Sequence, residues 1–131
     1  MEPSGLSKET IEKAKNVVFK ALDALDVKYG ASHTEFKITP NGELRIIEIG
    51  SRMGGDCIGS DLVYLSTGYD FVKMVVDVAC GNKLDFTVHN HYNKAFIKFI
   101  FTKDDYENMG VFKASNKEKI IRVSEIHTDL L

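Results

Sequence analysis

The sequence has no tryptophan, two prolines, two cysteines and no long apolar run. Each scarcity closes something off. No apolar stretch approaches the ~20 residues that a membrane-crossing helix needs. The two cysteines, Cys57 and Cys80, lie far apart with no partner at metal-ligand spacing. A structural zinc site wants four ligands, usually in close pairs, and the four histidines do not supply the missing ones. Two reduced thiols in a cytoplasmic protein is the reading that fits. There is also no basic excess: 17 Lys and Arg stand against 19 Asp and Glu, for a net charge of -2. That balance argues against a nucleic-acid partner, whose phosphates usually attract a basic stripe. The start, Met1-Glu2-Pro3-Ser4-Gly5, has neither the basic flank nor the apolar stretch of a signal peptide. What is present is 131 residues, 44% apolar and 27% charged, which predicts a soluble globular domain with its own core, spanning residues 1–131.

Along the chain, residues 7–26 read as one helix. Ser7 can cap it, and Ile11, Ala14, Val18, Ala21, Leu22 and Leu25 recur at helical spacing, with Val17 and Phe19 widening the stripe. Such a helix should pack on a sheet, leaving Lys8, Glu12, Lys15, Lys20 and Asp23 in solvent. Residues 31–39 and 44–50 read as two strands around Pro40-Asn41-Gly42-Glu43, where Asn-Gly is a strong hairpin signal. A glycine-rich loop follows, Gly50-Ser51-Arg52-Met53-Gly54-Gly55-Asp56. Helices are predicted over 60–67 and 70–80; Asp70 can cap the second, Gly81 can end it, and Phe71, Met74, Val75 and Val78 form its inward face. Residues 95–102 (AFIKFIFT) predict a central buried strand, 103–108 a charged loop, and 111–113 and 119–124 further strands. The order implies an α+β fold with an antiparallel sheet packed against helices.

The chemistry gathers between His33 and Asp56. Glu35 and Glu48 each sit in an apolar strand, where a carboxylate needs a partner or a metal. If the hairpin loop has an even count, the two face each other, and a divalent cation would turn that repulsion into a site. Pro-Asn-Gly also suits a three-residue turn with a glycine bulge, a register that puts the two acids on opposite faces. Alternatively, each glutamate is salt-bridged to Lys37, Arg45 or Lys98. Residue types alone do not choose between these. The next segment favours the site: Arg52 lies four residues after Glu48, suited to bidentate contact with phosphate oxygens, in a loop whose glycines allow close approach. The N–H groups of Gly54 and Gly55 could add an anion-binding nest.

These residues resemble a known family. Gly30-Ala-Ser-His-Thr-Glu35-Phe-Lys, then Asn41-Gly42, then Ile46-Ile-Glu48-Ile-Gly-Ser-Arg52-Met-Gly-Gly55-Asp56 are similar to the C-terminal half of the ATP-grasp fold. The likeness is to the branch with phosphoribosylglycinamide-synthetase-like and amino-acid-ligase-like enzymes. It covers residues 3–82, including Thr67-Gly-Tyr-Asp70-Phe and Ala79-Cys-Gly81, and is specific in the hairpin. The resemblance implies ATP and Mg²⁺ (or Mn²⁺) as cofactors. Glu35 and Glu48 then match the metal-binding carboxylates, and Arg52 the arginine on the transferred phosphate or acyl phosphate. Ile47 lies near the position lining the adenine pocket. Many members carry asparagine two residues after the second glutamate as a further metal ligand, and this chain has Gly50 there.

Such enzymes join a carboxylate to an amine: ATP phosphorylates the carboxylate, and the nucleophile displaces phosphate. The resemblance also implies an upstream subdomain holding the triphosphate from the other side. The expectation is therefore a fragment of a ligase, inactive alone, whose partners in the parent are a nucleotide and a small-molecule carboxylate. The rival reading is a non-catalytic α+β interaction domain, a homodimer with a salt-bridged acidic hairpin. His33 shares a face with Glu35 and reads as a hydrogen-bonded structural residue. His89, His91 and His127 read as surface residues; Tyr64, Tyr69 and Phe71 read as core. Asp56 is expected to bond Arg52 or its loop.

Overall fold

The computed structural model describes residues 5–89, 94–124 and 126; His91 and His127 lie outside them. The chain divides into two compact units, Met1–Ile97 and Lys98–Leu131. No helix among the described residues is long and apolar enough to cross a membrane.

The first unit opens with α1, Lys8–Ala24. Ser7 is its N-cap, its side chain accepting from the Thr10 N–H, a contact worth about 1 kcal/mol. Its half-buried face carries Ile11, Ala14, Val17, Val18, Ala21 and Leu22 and packs on the second strand, while Phe19 and Leu25 stay exposed. The helix is stopped at Asp26, close to the end that its spacing predicts. Asp26 takes φ +56°, and two bonds close the end, Val27 N–H to Leu22 O at 2.9 Å and Asp26 N–H to Asp23 O at 3.1 Å. This is the Schellman pattern, with aspartate in the place glycine usually holds.

A two-stranded antiparallel sheet follows, β1 His33–Ile38 and β2 Leu44–Gly50. Its turn is the glycine-bulge type. Gly42 N–H donates to Thr39 O at 2.9 Å, Thr39 N–H donates to Glu43 O at 2.8 Å, and Gly42 takes φ +77°. The pairs nearest the turn are Ile38 with Leu44, Lys37 with Arg45 and Phe36 with Ile46. Carried on unchanged, that register would separate Glu35 from Glu48. A second bulge between Glu35 and Phe36 leaves Ile47 unpaired and shifts the ladder by one, so Glu35 aligns with Glu48, Thr34 with Ile49 and His33 with Gly50. One face of the hairpin is then Thr34, Phe36, Leu44, Ile46 and Ile49, all half-buried, with Ile38 at its edge. The other is His33, Glu35, Lys37, Arg45, Glu48 and Gly50.

Beyond the loop come a π-helical turn Ile58–Leu62, α2 Val63–Thr67 and α3 Phe71–Ala79. Asp70 caps α3 by accepting from the Lys73 N–H, and Gly81 at φ +71° closes its end. Phe71, Met74, Val75 and Val78 are half-buried on one side, as their spacing predicts. On the same helix Asp77 is buried at 9% exposure, bonded to Lys73 Nζ at 2.5 Å and to Asn82 Nδ2 at 3.5 Å. Gly68 ends α2 at φ +79° where a Cβ would stand 2.4 Å from His89 O, because residues 84–89 return across it. Tyr69 packs edge-on to Phe86, and Tyr64 is exposed with its ring 6.2 Å from His89.

The C-terminal strands predicted from sequence are corrected. Residues 95–101 pair with no strand among the described residues, and Phe96 and Phe101 are 76% and 74% exposed. An apolar run becomes a central strand only when neighbours pair with both its edges. In the second unit, residues 103–108 and 111–113 belong to α4, Lys103–Ser115. Its start is a reciprocal cap. Thr102 accepts from the Asp105 N–H, while Asp105 accepts from Phe101 N–H at 3.3 Å and from the Thr102 hydroxyl at 3.0 Å. Lys119 ends a short 3₁₀ turn, Lys117–Lys119, and residues 120–124 form no strand. Among the described residues no apolar side chain of either unit is fully buried, where the composition predicted a closed core.

Candidate functional site

The polar face of the hairpin carries Glu35 and Glu48, the strand bulge carries Ile47, and the loop after β2 carries Arg52, Gly54 and Gly55. Glu35 and Glu48 stand directly across from each other, so their side chains leave the sheet on the same side. Each is 57% exposed. Among the described residues each has one partner, and a distant one: Glu35 Oε1 lies 3.5 Å from His33 Nε2, and Glu48 Oε1 lies 3.5 Å from Arg52 Nη2. At that separation and exposure the pairs contribute little stability. Two of the three cations of the salt-bridge alternative are engaged elsewhere, Arg45 with Glu43 at 3.0 Å and Lys98 with Asp105 at 2.7 Å.

Arg52 is aimed by a second bond, from Nη1 to its neighbour's carbonyl, Met53 O, at 2.9 Å. Its partners are thus Met53 and Glu48, and not Asp56. The side chain also runs over Gly50, where a Cβ would lie 3.6 Å from Arg52 Cγ and 3.7 Å from Nε. A Cβ at residue 50 would thus meet the arginine side chain at ordinary contact without obstructing it.

The loop does not use its glycines as the sequence implied. Its left-handed residues are Asp56 at φ +50° and Cys57 at φ +60°, while Gly54 and Gly55 have no positive φ. Gly54 is needed for space: a Cβ there would lie 2.8 Å from His33 Nδ1 and 3.1 Å from Ile58 Cγ2. Gly55 faces open space. Ile47, the bulge residue, exposes 57% of its surface immediately before Glu48. The role of His33 against Gly54 was not legible in the sequence, since the contact joins a strand to a loop some twenty residues on.

A family model described as the carbamoyl-phosphate synthase L chain, ATP binding domain, matches residues 2–87. The chain belongs to this ATP-grasp family. The matched stretch takes in the hairpin, the arginine loop and α3, and leaves α4 outside. Among solved structures, the crystal structure of an L-amino acid ligase from Bacillus licheniformis is similar, with 32% sequence identity and a TM-score of 0.54. The similarity covers 58% of this chain and 19% of the ligase, so this ATP-grasp domain spans about a fifth of that enzyme's length. No curated protein matches. The α+β architecture read from the sequence is that of an ATP-grasp ligase.

Proposed function

We propose that this domain forms one face of the ATP site of a carboxylate–amine ligase. Glu35 and Glu48 would hold Mg²⁺ or Mn²⁺ on the ATP phosphates, and Arg52 would contact the transferred phosphoryl group. The observation carrying this reading is the register that sets Glu35 across from Glu48 with Arg52 alongside. Two like charges facing each other weaken a hairpin, and nothing on the strands neutralises both.

The donor set fits a hard divalent cation. Both carboxylates are exposed and weakly held, and no group of three or more acidic, histidine or cysteine ligands exists among the described residues. The protein would thus give two oxygens' worth of anchoring, leaving phosphate oxygens and water to complete the shell, as Mg²⁺ prefers. Bound there, the cation neutralises charge on the phosphoryl oxygens. Arg52, fixed by Met53 O, presents its remaining N–H edge to the same anion without reorganising. Ile47 supplies an exposed apolar surface for the adenine ring. Gly55, unobstructed, and Gly54 offer backbone N–H groups at the edge of the site. The reaction served is phosphorylation of a small-molecule carboxylate by ATP, then displacement of phosphate by an amine. The other face, the nucleotide's remaining contacts and the acceptor site would come from the rest of a cytoplasmic ligase.

Titrating the chain with Mn²⁺ and with Mg²⁺–ATP tests the site. Binding that is lost in Glu48→Gln is expected; equal binding in the variant would overturn the assignment. Substrate-dependent ADP formation tests the one-face reading. The 131-residue chain should produce none, and robust turnover would refute that part.

A further inference from the structure

We propose that His33 is a positioning residue for Glu35, seated by the missing side chain of Gly54 and presenting Nε2 to the carboxylate. The inference rests on the reading of Glu35 as a cation-binding residue and adds to it the group that aims it. The imidazole bridges two elements. Its Nδ1 and Cε1 edge lies where a Gly54 Cβ would come within 2.8 and 3.2 Å, and its Nε2 lies 3.5 Å from Glu35 Oε1. His33 is 21% exposed against 57% for Glu35. A mostly enclosed ring thus stands beside a mostly free carboxylate. Ile58 Cγ2 lies 3.1 Å from the same Gly54 Cβ position, so the glycine is closed in on two sides.

Two consequences follow from this seat. A glutamate on an exposed strand has several rotamers, and capturing a cation freezes them at a cost in entropy. An enclosed imidazole 3.5 Å from one oxygen narrows the choice of rotamers and leaves the other oxygen for the ligand. Outer partners of ligating side chains typically change metal affinity by ~10–100-fold. Gly54 also belongs to the loop that carries Arg52, so the ring ties the position of Glu35 to that of the arginine's loop.

Mn²⁺ titration of the full 131-residue chain, followed by the spin signal of the free ion, separates an aiming role from packing. In His33→Gln the amide nitrogen can take the place of Nε2, whereas in His33→Asn it falls near Nδ1, away from Glu35. Both lose the ring, so both should lower thermal stability alike. Mn²⁺ affinity should stay within about threefold of the parent in His33→Gln and fall roughly tenfold in His33→Asn. Gly54→Ala, which displaces the ring, should weaken binding in the parent and add nothing to His33→Asn. Equal affinities in the Gln and Asn variants would overturn the proposal, as would a Gly54→Ala loss that adds fully to that of His33→Asn. Glu48→Gln keeps the two readings distinguishable. If it leaves Mn²⁺ binding intact, the site itself is wrong and His33 falls with it. If it abolishes binding while His33→Asn does not weaken it, only the positioning role fails.

Discussion

Asp105 and the pair Glu35 and Glu48 show two uses of a carboxylate on partly exposed surface. Asp105 is saturated: Lys98 Nζ lies 2.7 Å away, and the Phe101 N–H and Thr102 hydroxyl add two more donors. Those contacts, Lys98 first, bring its carboxyl down to about 2. Asp77 on α3 is similarly engaged by Lys73 and Asn82. Among the described residues Glu35 and Glu48 each have a single partner at 3.5 Å, with a like charge directly opposite. The first two carboxylates belong to helix structure. The second two are held in register but left with oxygens to give, which is the condition a ligand-binding acid must meet.

The contrast can be broken from either side. The largest stability effect is expected at Asp77, where Asp77→Ala strips two donors of their partner in a buried place and should cost about 1–3 kcal/mol in urea unfolding. Thr102→Ala removes the cap of α4 and should cost about 1 kcal/mol, seen as lost helical circular dichroism. Acid should act on the same helix. The Asp105 carboxyl is depressed in the folded chain, so its contribution is complete above its ordinary value near 3.8 and is lost as pH falls toward about 2. Helical signal from α4 should decline across that interval, and Asp105→Asn should flatten the decline. Glu35→Gln and Glu48→Gln should change stability least, within about 0.5 kcal/mol and toward greater stability, because each removes a facing like charge. A loss of 2 kcal/mol or more in either would mean that these acids too are structural. Gly50→Asn offers a final refinement: the space over residue 50 admits a Cβ at ordinary contact with Arg52, and the added amide oxygen should tighten Mn²⁺ binding a few-fold.

Sequence and structure part company where pairing is decided at a distance. The helix at Ser7, the cap at Asp70, the hairpin and the arginine loop were legible because local spacing and turn chemistry determine them. The run 95–102 was not, because its apolar residues fit a buried strand equally well and strand status depends on partners. The α4 start did carry a local sign, Thr102 three residues before Asp105, overshadowed by the surrounding charge. In the site, the ATP-grasp relation was readable, whereas the facing of the acids was one of two registers left open, and it holds although the turn is the glycine-bulge type. The means of facing were not readable, although Ile46-Ile47 interrupts the alternation of polar and apolar residues, which is how a bulge shows itself in a strand.

That bulge has a consequence for which variants of this hairpin can persist. The glycine turn and Ile47 each displace the ladder by one step, and the two displacements cancel at Glu35 and Glu48. What must be conserved is therefore that the one residue by which the arm from Glu43 to Glu48 exceeds the arm from Glu35 to Thr39 stays out of the ladder, and not the place where it does so. Deleting Ile47 alone would leave the turn intact and close the ladder with Glu48 still opposite Glu35, whereas deleting Ile46 as well would bring Glu48 opposite Phe36, on the apolar side. An alignment that scores the loss of Ile47 as damage would misread it; for the two acids of this strand pair it is a silent edit.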